Sequence, residues 1–67
     1  MEINESFGRR LRFIRRGKDI TQTDLARKLN VSQVTISNIE HGSSKVDEEF
    51  ASKAAKALGV PLDELVK

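Results

Sequence analysis

An all-α fold, a compact bundle of five helices, is what these 67 residues predict, and three observations carry the expectation. First, apolar residues recur at helical rather than alternating spacing: Phe7, Leu11 and Ile14; Leu25, Ala26 and Leu29; Ile36 and Ile39; Phe50, Ala51, Ala54, Ala55 and Leu58; and finally Leu62, Leu65 and Val66. Second, residues that cap or end helices stand between these runs. Third, only Asn30-Val31 separates the second run from the Ser32 that opens the third, which demands a tight turn between two short helices.

Taken in order, Met1 to Asn4 is a lead-in and the first helix starts near Glu5 or Ser6. Gly17-Lys18-Asp19 ends it, and Ile20 returns the chain to the core. Thr21 caps the second helix. Asn30 follows, the commonest non-glycine choice for the left-handed conformation that a steep crossing requires. Ala26 keeps that crossing close, because a longer side chain would hold the helices apart. Ser32 caps the third helix, which ends at His41-Gly42, glycine being a natural left-handed terminator. Asp47 caps the fourth, with Glu48 and Glu49 favoured in its first turn by the helix dipole. Gly59 closes it, and Val60-Pro61 leads to a short last helix.

Length allows one domain, residues 1–67, which buries only about 60% of the surface its unfolded chain exposes. Cysteine is absent, removing disulfides and thiolate zinc sites together and fitting a reducing cytosol. No apolar run approaches a membrane span and the N-terminus does not resemble a signal peptide, so a soluble, cytoplasmic protein with no membrane partner is expected. A single histidine and no convergent carboxylates leave nothing for acid/base, nucleophilic or metal chemistry, so no cofactor, metal or small-molecule substrate is expected. The net charge of +2 is unevenly spread: residues 1–28 carry eight Lys/Arg against four Asp/Glu, whereas residues 47–67 carry three against five. A face that meets phosphate is expected on the side of the first two helices, the alternative being a solvated surface of mixed charge.

Four groups of residues in order resemble one family. Leu11 and Ile14 followed by Arg15, then Thr21-Gln22-x-x-Leu25-Ala26, then Val31-Ser32-Gln33-x-x-Ile36-Ser37-x-Ile39-Glu40-x-Gly42, then Ala55-x-Ala57-Leu58-Gly59-Val60 are similar to the Cro/phage-repressor (XRE-like) helix-turn-helix family of DNA-binding proteins. The match runs from Gly8 to Val66. The resemblance implies a phage-repressor-like fold, a prokaryotic transcription regulator and double-stranded DNA as partner. It also implies an ion pair between Arg15 and Glu40, bridging the first helix to the third in a bidentate geometry that lysine cannot reproduce. Three positions depart from the family pattern: Phe13 stands where a polar residue is usual, Asp19 where glycine is frequent, and Val46 where proline is common.

Within that resemblance the third helix is where base sequence is read. With Ile36 and Ile39 inward, Ser32, Gln33, Val34, Thr35, Ser37 and Asn38 occupy its outer and leading surface. Gln33 and Asn38 can form paired bonds to an adenine edge, while Val34 and the Thr35 methyl can pack on a thymine methyl. Ser32 completes the expected base-contacting set, and the alternative is a polar face with no partner. Thr21, Gln22, Ser37, His41, Ser43, Ser44 and Lys45 are the expected phosphate contacts, Gln22 because it sits beside the free N–H groups that open a helix; an ordinary exposed glutamine is the other reading.

Phe13 has two readings: a partly exposed ring covering an edge of the core, or a protein contact. One such domain reads only about half a turn of duplex, so two copies on a palindromic site are expected. The resemblance places the dimer surface near the last helix and the loop before the fourth, with Leu62, Glu64 and Val66 as its residues. A protein-interaction module of antitoxin or adaptor type is the rival to the DNA-binding reading.

Overall fold

A computed structural model describes residues 3–66 and contains four α-helices: α1 (Ile3–Gly17), α2 (Gln22–Leu29), α3 (Gln33–Glu40) and α4 (Glu48–Leu58), followed by a 3-10 turn at Leu62–Glu64. The fold is therefore all-helical among the described residues, but the expected fifth helix is a single tight turn. Glu64 N–H bonds the Pro61 carbonyl at 3.0 Å and Leu65 N–H bonds that of Leu62 at 2.9 Å. In a 3-10 turn residues i and i+3 eclipse, so Leu62 and Leu65 reach the same side without a full α-turn. Apolar spacing of three cannot tell the two apart. The start of α1 also differs from expectation: Ile3 and Asn4 belong to it, since neither carries a helix-breaking backbone. Met1 and Glu2, the remainder of the expected lead-in, lie outside the described residues.

The core gathers Phe7 and Leu11 from α1, Leu25 and Ala26 from α2, Ile36 and Ile39 from α3, Ala51, Ala54, Ala55 and Leu58 from α4, and Leu65. Phe7 meets Phe50 edge to face, ring centres 6.5 Å apart. Small side chains on α4 let that helix approach closely, while leucine and phenylalanine fill the space between. Phe13 takes no part. Its ring is 79% exposed, which overturns the reading that it covers a core edge.

Two turns use left-handed residues other than glycine. Asn30 has φ 59° and ψ 43°, and the reversal is closed by Val31 N–H on the Ala26 carbonyl at 2.9 Å. Ala26 itself is buried at this crossing. Asp19 adopts φ 57° between α1 and α2, a conformation glycine would take with less strain. Each α-helix from α2 onward has the expected side-chain cap: Thr21 accepts from Asp24 N, Ser32 from Thr35 N, and Asp47 from Phe50 N.

What sets α3 against α1 is a glycine. A Cβ added at Gly8 would lie 2.3 Å from the Ile39 carbonyl oxygen and 3.0 Å from that of Glu40. Both are backbone atoms and neither can swing away, so the helices touch along their main chains. The motif reading missed this role, although a glycine inside an apolar helical run is a signal for such contact.

Gly8→Ala is expected to destabilise the domain by about 1–3 kcal/mol through forced separation of α1 and α3. Gly17→Ala meets nothing within 4 Å and is expected to be neutral or stabilising by up to about 1 kcal/mol. Urea midpoints of the two variants check the contrast; equal effects would remove the close contact from the account.

Candidate nucleic-acid interface

α3 presents Ser32, Gln33, Val34 and Asn38 to solvent, with Thr35 and Ser37 half-buried, while Ile36 and Ile39 lie in the core. Val34, at 61% exposure, is one of two large apolar side chains so placed among the described residues. The outward face carries hydroxyls, amides and one valine, with no charge. Ser32 spends its hydroxyl on capping: it accepts from Thr35 N at 3.1 Å and lies 2.9 Å from Thr35 Oγ1. The Val34 side chain, the Thr35 methyl and the Gln33 and Asn38 amides are what this face offers a partner.

A polar chain runs beneath this face. Arg15 Nε donates to Glu40 Oε2 at 2.6 Å and Nη2 to Oε1 at 3.0 Å, while Nη1 bonds the Ile20 carbonyl at 2.8 Å. Both residues are buried. Gln22 Nε2 donates to Glu40 Oε1 at 3.0 Å, and Gln33 Nε2 donates to Gln22 Oε1 at 2.6 Å. A guanidinium on α1 thus orients a carboxylate on α3, which orients an amide on α2, which holds the first side chain of α3. Gln22 is half-buried, so it is neither an ordinary exposed glutamine nor free: one Nε2–H remains for another acceptor. Gln33 retains its Oε1 and one N–H on the outward side. The Gln22–Gln33 bond was not foreseen, though glutamine in the first position of both short helices was there to be seen.

Burial drives the Glu40 carboxyl toward higher pKa. Hydrogen bonds from Arg15 and Gln22 and the charges of Arg15 and Arg12 outweigh that push and hold it below its ordinary value of 4.5. Its folded pKa is depressed, so the stabilisation is complete above about pH 4.5 and is lost as pH falls through the folded value.

The residues expected at phosphates are spread around this centre. Thr21, His41, Ser43 and Lys45 are exposed, Ser37 and Ser44 half-buried. His41 Nδ1 lies 2.7 Å from the Ser37 carbonyl, and Gly42, at φ 76°, turns the chain into the loop. Among the described residues no cluster of His, Asp or Glu could hold a metal, and no helix is long and apolar enough to cross a membrane. Of the residues expected at a dimer surface, Leu62 and Val66 line a groove of about 340 Å³ with Phe7, Val46, Asp47, Glu48 and Ala51. Glu64 stands apart from them, on a depression lined by Arg9, Arg10, Phe13 and Ile14.

Two short helices joined by a left-handed asparagine, the second presenting an amide-bearing outer face braced from behind, define a helix-turn-helix unit. Residues 11–65 match the helix-turn-helix family of XRE type, and the chain belongs to it. It is 39% identical, over 84% of its length and 85% of the relative's, to an uncharacterised HTH-type transcriptional regulator of Methanocaldococcus jannaschii. Among solved structures it is similar to the restriction-modification controller protein C.AhdI of Aeromonas hydrophila, at 31% identity and TM-score 0.85 over 91% of this chain and 92% of that one. The DNA-binding domain of the P22 C2 repressor is likewise similar, at 31% identity and TM-score 0.85 over 97% and 84%. Fold and relatives are those of DNA-binding transcriptional regulators, not enzymes.

Arg15→Ala strands a buried carboxylate and is expected to cost about 3–5 kcal/mol. Arg12→Ala removes a charge that acts on Glu40 without a hydrogen bond to it and is expected to cost under about 1 kcal/mol. Thermal melts of the two variants distinguish them. In the same measurement, the gap between the wild type and Glu40→Gln should narrow below about pH 4.5; a constant gap would mean that Glu40 ionisation does not contribute.

Proposed function

We propose that this chain is a repressor or controller that binds a palindromic operator as a homodimer, laying α3 of each copy in the major groove. The observation that carries the reading is the outward face of α3, with Gln33 held at its leading end by Gln22 at 2.6 Å. A glutamine with one acceptor and one N–H left over matches the N6/N7 edge of adenine. Bracing by Gln22 lowers the entropy lost when Gln33 engages a base. Val34 and the Thr35 methyl suit a thymine methyl, Asn38 a second base edge, and Ser32 the flank of the site.

The second Nε2–H of Gln22, the hydroxyls of Thr21, Ser37, Ser43 and Ser44, His41 and Lys45 then serve the phosphates on either side. For the second copy, Leu62 and Val66 on the apolar groove are the favoured contacts and Glu64 a rim charge.

Selection from a random duplex pool tests the reading, with enrichment of a two-fold symmetric sequence as the expected result. Gln33→Ala should relax preference at one base position per half-site by about 1–3 kcal/mol, whereas Lys45→Ala should weaken all sequences alike and lower the salt slope by about 1. No enriched sequence would refute base reading. Separately, sedimentation at micromolar protein with and without the selected duplex is expected to show two copies per site; a single copy bound even to saturated duplex would refute the homodimer.

A further inference from the structure

The five arginines of α1 divide around the helix: Arg15 bonds Glu40 of α3, whereas Arg10 lies on the far side of α1 from α3. At about 100° per residue, Phe13 lies roughly 140° and Arg10 roughly 160° around α1 from Gly8, the residue against α3. Arg9 and Arg16 flank Phe13 at helical spacing. The ring stands 79% exposed beside a depression of about 450 Å³ walled by Arg9, Arg10, Phe13, Ile14 and Glu64. Arg10 is half-buried, and its Nε, itself buried, has no hydrogen-bond partner among the described residues.

An exposed aromatic ring, an apolar floor from Ile14 and planar guanidinium groups around it form a receptor for an apolar side chain with carboxylates beside it. The geometry points to a docking site here for an acidic peptide segment of another protein, one bearing an aromatic or aliphatic anchor. Charge complementarity selects this partner. A phosphate backbone is a poorer occupant, because Glu64 stands on the same depression and one ring makes no stacking platform for successive bases. A peptide sets its carboxylates singly and can keep them clear of Glu64. Since Phe13 and Arg10 are turned away from α3, the site stays open when α3 is engaged; it shares only Glu64 with the proposed dimer contact and does not depend on the function proposed above.

Panning a displayed random-peptide pool against the whole chain tests this. Enriched peptides are expected to carry Asp or Glu beside one aromatic or aliphatic residue. A synthetic peptide of the winning sequence is expected to lose at least tenfold in affinity on Phe13→Ala and on Arg10→Ala. Phe13 is on the surface, so its variant should keep the wild-type melting temperature and its affinity for random duplex. Three results overturn the proposal: no enrichment, enriched peptides indifferent to Phe13→Ala, or loss of binding to random-sequence RNA or duplex on Phe13→Ala, which would make the face a nucleic-acid contact.

Discussion

A carboxylate taken out of water at the end of α3 is the constraint on which the rest depends. Glu40 retains 4% of its accessible surface, and burying a charge so far is tolerable only when several donors converge on it. Arg15 supplies two and Gln22 a third. Because those donors come from α1 and α2, satisfying one oxygen pair fixes three helices relative to one another. The same carboxylate decides where Gln22 points, and Gln22 decides where Gln33 points. Fold stability and the aim of the outward face therefore rest on one group.

Arg15 also ties its remaining nitrogen to the Ile20 carbonyl, which closes the link between α1 and α2 around the strained Asp19. Asp19 holds its left-handed backbone next to a residue whose carbonyl the Arg15 guanidinium binds. Backbone contact does the corresponding work on α3: Gly8 receives the Ile39 and Glu40 carbonyls where a larger residue would keep α1 at a distance.

Much of this could be read from the chain before any coordinates. Apolar periodicity and capping residues locate four helices to within a few residues, and the left-handed Asn30 follows from its place between two close runs. The last element was misjudged because spacing of three is common to an α-helix and a 3-10 turn. Phe13 was ambiguous because an aromatic beside an apolar stripe is seated or exposed according to what neighbouring helices leave room for, and sequence does not carry that. Gly8 and the Gln22–Gln33 bond were missed for a related reason: each is a property of two elements meeting, and although a glycine inside a helical run signals a close approach, it does not say which element approaches. Charge along the chain placed the arginines on α1 but not the direction in which they point.

The main-chain seating of α3 has a consequence for how such a protein can change. Its docking is provided by Ile36, Ile39, Glu40 and two carbonyls, none of which belongs to the outward side. Replacing Val34 or Asn38 leaves every one of those attachments in place, so the outward side can vary without endangering the scaffold. The exception is Gln33, which is bonded to Gln22: if α3 reads bases as proposed, a lineage acquiring a different target is expected to revise those two positions together.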